Sequence, residues 1–232
     1  MDVSIIIVNY KNPPLIVQCV KSIMQFEKTV EYEIIVVDNN SGDDTEQQLR
    51  AIYPNLKWIQ MGYNSGFAKA NNAGYAQSSG DYVLYLNSDT IFIEPIFQKL
   101  ISEFEKYTSV GLIGCRLLNK DMSLQPSYHN SVDFFRRIIR RNPFMIKFFH
   151  VSATSPCDIH SVENSLQKSH FAEWLSGAMM LLKKEDVDAF NLKWDEDFFM
   201  YWEDVELCYR IRKKGKKIFY TNGYQRVKNK II

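Results

Sequence analysis

Four times in the first 90 residues a short strand-like run, apolar in three of the four, gives way to polar residues, and stretches of helical spacing fill the intervals. Val3 to Val8 ends in Asn9-Tyr10-Lys11-Asn12-Pro13-Pro14, and Glu33 to Val37 ends in Asp38-Asn39-Asn40-Ser41-Gly42. Lys57 to Gln60 leads into the loop Gly62 to Phe67, and Tyr82 to Leu86 ends in Asn87-Ser88-Asp89. Near-continuous β-branched runs of this length read as strands buried on both faces. Between them, Leu15 to Phe26, Asp44 to Ile52 and Ala68 to Ser78 read as helices, the second with Ser41 or Asp43 as a candidate cap. The order β-α-β-α-β-α-β predicts an α/β fold: a mostly parallel central sheet, right-handed crossovers and helices on both faces.

In a parallel sheet all four polar clusters fall on one edge. There they form a crevice of the kind that takes a nucleotide. Neither GxGxxG nor GxxxxGK[ST] occurs in these loops, which weighs against a dehydrogenase or a P-loop enzyme. Asn87-Ser88-Asp89 has two readings on spacing alone. One is an Asx turn; the other is a carboxylate delivered on a rigid strand to hold Mg²⁺ or Mn²⁺.

Composition narrows the class. At 232 residues, 46% hydrophobic and 24% charged, the chain suits one soluble α/β domain. A formal net charge of +1 gives no global bias toward nucleic acid. Cys19, Cys115, Cys157 and Cys208 form no CxxC pair, which argues against a zinc ribbon or a disulfide framework and fits a reducing cytoplasm. No apolar run approaches the roughly 18 residues of a membrane span. The first strand begins almost at Met1, so no signal peptide is expected.

Beyond Asp89, Ile96 to Tyr107 reads as an amphipathic helix and Val110 to Cys115 as a strand that Leu117 to Lys120 extends. The α/β rhythm is then lost over about residues 120–170, an insertion rich in aromatic and apolar residues. As a helix, Phe134, Phe135, Ile138 and Ile139 would lie on one side, and Arg136, Arg137, Arg140 and Arg141 on the other. Residues 134–149 therefore read either as a helix packed on the domain or as a peripheral contact with an anionic membrane. Order returns at Phe171. Glu203 and Asp204 open the last helix, behind Phe198, Phe199, Tyr201 and Trp202. They read as helix-capping acids or, desolvated by the rings, as a general base.

Five stretches in this order carry a resemblance: Ser4-Ile5-Ile6-Ile7-Val8-Asn9-Tyr10; Val37-Asp38-Asn39-Asn40-Ser41; Asn64-Ser65-Gly66-Phe67-Ala68-Lys69-Ala70-Asn71-Asn72; Leu86-Asn87-Ser88-Asp89; and Trp174-Leu175-Ser176-Gly177-Ala178 with Trp202-Glu203-Asp204. The chain resembles a family 2 glycosyltransferase of the GT-A fold, near the rhamnosyltransferase-like branch. The resemblance implies a single domain, with residues 1–90 as the nucleotide-sugar half and 171–232 as the acceptor half. It implies inverting transfer of a sugar from a nucleotide-diphosphate donor to an acceptor hydroxyl, on a glycan or lipid-linked glycan of the cell surface. Asn9, Asp38, Asn40, Asn64, Gly66, Asn71, Asn87 and Ser88 would hold the donor, and Asp89 the Mg²⁺ or Mn²⁺. Asp204 would be the base with Glu203 beside it, and Trp174 and Trp202 would pack against sugars. The implied location is cytoplasmic, peripheral at the inner face of the membrane.

Two departures stand out. Asn87 replaces the leading acid of the family's DxD motif, so charge on the cation rests on Asp89. No histidine follows the last strand, where relatives carry a further metal ligand, and the chain is read as shortened there. That second departure motivates the alternative of a non-catalytic nucleotide-sugar-binding or scaffold protein. A sugar-phosphate nucleotidyltransferase is disfavoured, because Asn9 to Pro14 is not the glycine-rich basic loop it needs.

Overall fold

The computed structural model describes residues 1–129, 168–222 and 226–228. The basic amphipathic stretch at 134–149, and with it the membrane-contact expectation, lies outside the described residues.

The first seven elements form in the expected order: β1 (Val3–Asn9), α1 (Pro13–Phe26), β2 (Tyr32–Asp38), α2 (Thr45–Ile52), β3 (Lys57–Gln60), α3 (Phe67–Ala76) and β4 (Tyr82–Asn87). Then come β5 (Thr90–Phe92), α4 (Phe97–Lys106), β6 (Val110–Cys115), β7 (Leu117–Leu118), β8 (Leu124–Gln125) and β9 (Tyr128–His129). The rest of the chain gives β10 (His170–Ala172), β11 (Trp174–Leu175), β12 (Met179–Lys183), α5 (Lys184–Phe190), α6 (Glu203–Lys213), β13 (Lys217–Thr221) and β14 (Arg226–Lys228).

Eight strands make the main sheet, in the order β3-β2-β1-β4-β12-β6-β13-β10. The first four run parallel, β13 runs parallel to β6, and β12 lies antiparallel between β4 and β6. Each strand feeds both faces in turn. Ile5, Ile7, Leu84 and Leu86 belong to the core cluster on one side, and Ile6, Val83 and Tyr85 to the cluster on the other. This period of two explains why the runs are apolar throughout: both faces are covered. Each fully buried Ile or Leu contributes about 1.5–3 kcal/mol.

One expectation is corrected. Leu117 and Leu118 do not extend β6. The main-sheet ladder ends at Cys115, opposite Thr221. Arg116 interrupts the apolar run, and β7 turns into a small sheet of order β5-β14-β7-β8. Both leucines are buried there, so the change of sheet loses no apolar burial.

Register places the site. Asn9 stands opposite Asp38, and Val8 opposite Asn87, so the polar ends of β1, β2 and β4 share one edge. The start of β12 meets that edge from the other direction, with Met179 opposite Leu86.

Candidate active site

The ends of β1 and β2 are tied together beneath the crevice. The Asn9 Nδ2 donates to Asp38 Oδ1 at 2.8 Å and to Ser41 Oγ at 3.1 Å. Asp38 also accepts from the Ser41 N–H at 2.8 Å, from the Ser41 hydroxyl, and from Gln60 Nε2 at 3.0 Å. Asn9 and Asp38 are both buried. Asn40 is exposed and left-handed (φ 66°), whereas the neighbouring Asn39 is buried. The Asn39 Nδ2 donates to Gly66 O at 3.1 Å, and its Oδ1 accepts from Ser65 Oγ at 2.8 Å. Asn39 thus clamps the Asn64–Gly66 loop to the end of β2.

That loop has little freedom. Asn64 Oδ1 accepts the Gly66 N–H at 3.2 Å, which closes an Asx turn. Gly66 sits at φ 83°, and a Cβ there would lie 2.5 Å from Phe199 O. Only glycine fits both the dihedral and the contact. One residue on, the Phe67 N–H donates to that same Phe199 carbonyl at 2.9 Å, so the loop before α6 rests on the start of α3.

At the centre, β4 delivers Asn87, Ser88 and Asp89, and the Asn87 N–H donates to Ala178 O at 3.0 Å. A cation here would find one carboxylate, one amide oxygen and one hydroxyl, all hard oxygen donors. Among the described residues no group of three His, Cys, Asp or Glu side chains forms a metal cage. The donor set still fits Mg²⁺ or Mn²⁺, which bind through one or two carboxylates together with substrate phosphates.

The far end is built by α6. Tyr201 and Trp202 precede it at φ 72° and 74°, a conformation that costs bulky residues on the order of 1–3 kcal/mol each. The turn aims the first helical residues into the crevice. Asp204 Oδ2 accepts the Gly177 N–H at 2.9 Å, and Oδ1 accepts the Val205 N–H at 2.8 Å. Burial pushes the Asp204 carboxyl above its ordinary range, against the lowering effect of these two bonds. Glu203 is 7% exposed, and its Oε2 accepts no hydrogen bond from any described residue. Burial, and after it the Asp204 charge, pushes Glu203 up as well, against a bond from its own N–H.

These parts line one cleft of about 510 Å³. It brings together Asn64, Gly66, Asn87, Ser88, Asp89, Glu203 and Asp204. Asn9 and Asp38 lie behind its lining, and Asn71 is buried in α3 with its Nδ2 on Phe67 O at 3.0 Å. Trp174 lies in β11, paired with β9 and packed on the core, and Trp202 is the N-cap of α6; neither is among the residues that line the cleft. The lining also contains Tyr10, Asn39, Gln125, Ser176, Gly177 and Tyr201, none of them a site residue by sequence. Strand alternation carries the signal for Asn39. The ladder runs one residue past β2, with the Asn39 N–H on Asn9 O at 2.9 Å, so Asn39 still has a strand's inward choice and Asn40 does not.

The family model for Glycosyl transferase family 2 matches residues 4–159, more than half of the chain. The chain belongs to glycosyl transferase family 2. This family 2 domain is 26% identical over 196 residues to N-acetylglucosaminyl-diphospho-decaprenol L-rhamnosyltransferase of Mycobacterium tuberculosis, which covers 78% of this chain and 61% of the relative. Among solved structures, S. aureus TarS 1-349 in complex with UDP-GlcNAc matches with a TM-score of 0.70 at 16% identity, covering 100% of this chain and 60% of the 1-349 fragment. The mannosyltransferase PcManGT of Pyrobaculum calidifontis, in complex with GDP-Man and Mn²⁺, matches with a TM-score of 0.65 at 17% identity, covering 97% and 56%. These neighbours and the mixed sheet identify the GT-A fold. The chain spans about three fifths of the length of these proteins.

Proposed function

We propose that this domain is an inverting glycosyltransferase that moves a sugar from a nucleotide-diphosphate donor to a hydroxyl of a lipid-linked or surface glycan. One observation carries the reading. The strand end Asn87-Ser88-Asp89 and the desolvated Asp204 carboxylate face a single cleft. The sugar-nucleotide complexes of the two structural neighbours and the lipid-diphosphate name of the mycobacterial relative support it.

In this reading the nucleoside lies over the β1 and β2 ends, bounded by Tyr10, Asn39 and the Asn64–Gly66 loop. Asn9, Asp38, Asn40 and Asn71 shape or support that end. Asn87, Ser88 and Asp89 would supply the oxygens for Mg²⁺ or Mn²⁺, which would neutralise charge on the departing diphosphate. Asp204 takes the proton of the acceptor hydroxyl as its oxygen bonds to the anomeric carbon. The bond to the diphosphate breaks, the diphosphate leaves with the electron pair, and attack from the opposite face inverts the centre. The Gly177 and Val205 N–H groups each use one lone pair of Asp204 and fix its orientation, leaving another for the proton. Burial suits it to the task, because a carboxyl of raised pKa is the better base. Glu203 beside it and Trp202 at the α6 cap shape the acceptor side, with Trp174 behind them. Contact of residues 134–149 with an anionic membrane belongs to the same reading, and salt-sensitive liposome binding that is lost when Arg136, Arg137, Arg140 and Arg141 become Gln tests it.

The test is calorimetry with a panel of nucleotide sugars, with and without Mn²⁺, joined to a transfer assay. Metal-strengthened binding with turnover is expected, and Asp89→Ala should lower transfer by about 10²-fold or more. Metal-independent binding without transfer or hydrolysis would replace this reading with a nucleotide-sugar-binding scaffold.

A further inference from the structure

We propose that Gln125 is a specificity-determining residue whose side-chain oxygen accepts a hydrogen bond from a hydroxyl of the transferred sugar. The inference rests on the glycosyl-transfer reading and adds to it the group that reads the sugar.

Gln125 closes the two-residue strand β8, opposite Leu117 of β7, and with Pro126 it forms part of the cleft wall. Its Oε1 is buried and accepts no hydrogen bond from any described residue. A desolvated amide oxygen without a donor is costly, and a ligand hydroxyl that reaches it restores the bond. Gln125 itself lines an open cleft and not a sealed core, so a donor can arrive beside its side chain.

Its place along the cleft selects the ligand. Ser127, two residues on, accepts the Ser176 N–H on its carbonyl at 3.0 Å. The next two residues of that strand entry reach both ends of the reaction path. Gly177 donates to Asp204 at 2.9 Å, and Ala178 accepts the Asn87 N–H at 3.0 Å. The wall that carries Gln125 is therefore joined to the diphosphate end and to the base end at once. A sugar bonded to the diphosphate and attacked from the Asp204 side has to lie along it. The nucleoside end, at Tyr10 and Asn39, belongs to β1 and β2 across β4 in the sheet order. The unpartnered oxygen is thus set to read the sugar and not the base.

The experiment compares two ligands on three proteins. The first ligand is whichever sugar nucleotide binds wild type tightest from a panel of UDP-, GDP- and dTDP-sugars. The second is the matching free diphosphate. Both are titrated calorimetrically into wild type, Gln125→Leu and, as a second variant, Gln125→Ala, with melting curves alongside. The expected result is that affinity for the sugar nucleotide falls about tenfold in either variant, the loss of one such bond, while affinity for the free diphosphate stays within about twofold. Melting temperature should not fall, because the substitution removes an unpartnered oxygen. Equal weakening of both ligands would mark a structural role and overturn the proposal, as would an unchanged ratio in both variants. If wild type bound no nucleotide at all, the glycosyl-transfer reading would fail first and this inference with it.

Discussion

The two edges of the parallel sheet treat a buried carboxylate in opposite ways. At the edge where β1 and β2 begin, Glu33 is 5% exposed and fully partnered. Its Oε1 accepts from the Ser4 hydroxyl at 2.6 Å, and from the Ser79 N–H and hydroxyl at 2.7 Å each, while the Lys57 ammonium pairs with Oε2. Burial alone would raise Glu33, but Lys57 first, then Ser4 and Ser79, outweigh it and bring the carboxyl down to about 2. At the other edge Glu203 and Asp204 are raised, with burial as the leading cause in both. There, among the described residues, the hydrogen bonds to Asp204 come from backbone N–H groups and none from a cation. One edge spends its polar groups on holding three strands together. At the other, Asp38 is partnered in the same way, but the α6 pair is left under-compensated, the condition in which a base has proton affinity to offer.

The largest stability effect should therefore come from the Glu33 edge. Glu33→Ala leaves the Ser4 and Ser79 hydroxyls without their buried acceptor and removes the Lys57 pair, and should cost about 2–4 kcal/mol in denaturant unfolding. Transfer activity well below the melting temperature should persist. Comparable stability with lost activity would break the comparison.

The pH dependences should diverge next. Glu33 is depressed in the folded state, so its contribution to stability is present above the ordinary carboxylate value and is lost as pH falls toward about 2. Asp204 is raised, so the acid limb of kcat/KM should lie above the ordinary aspartate value, with activity rising as pH rises through it. An acid limb at or below that value, measured on the wild type, would remove the desolvation argument.

The smallest effect belongs to Glu203→Gln. A raised carboxyl favours folding in its protonated form, so wild-type stability should decline as pH rises through the shifted value. The glutamine variant lacks that decline and should equal or exceed wild type at pH 8, by about 1 kcal/mol or less. Melting curves across pH check this, and a variant less stable at pH 8 than at pH 4 relative to wild type would reverse the sign.

Much of this was legible in the sequence because burial on two faces leaves a plain mark. The runs at Val3, Glu33 and Tyr82 are apolar without alternation, and their sharp polar ends put Asn9, Asp38 and Asp89 on one edge. An apolar run carries no sign of direction, however, so the run Met179 to Leu182 does not reveal in sequence that it forms a strand antiparallel between β4 and β6. Asp89 and the Glu203-Asp204 pair could be chosen because carboxylates among apolar residues are conspicuous. Asn39 sits in a run of polar residues where only strand parity separates it from Asn40. Gln125 belongs to a strand of two residues, too short for any period, and its buried oxygen depends on the fold around it.

The central claim is that the cleft at the second edge holds a sugar nucleotide for Asp204 to act across. Asp204→Asn tests it most directly, with donor affinity by calorimetry and transfer by product formation on the same protein. The account predicts donor affinity within about threefold of wild type and transfer lowered by about 10²–10⁴-fold, the range for a removed general base. Transfer near the wild-type rate with donor binding intact would contradict it.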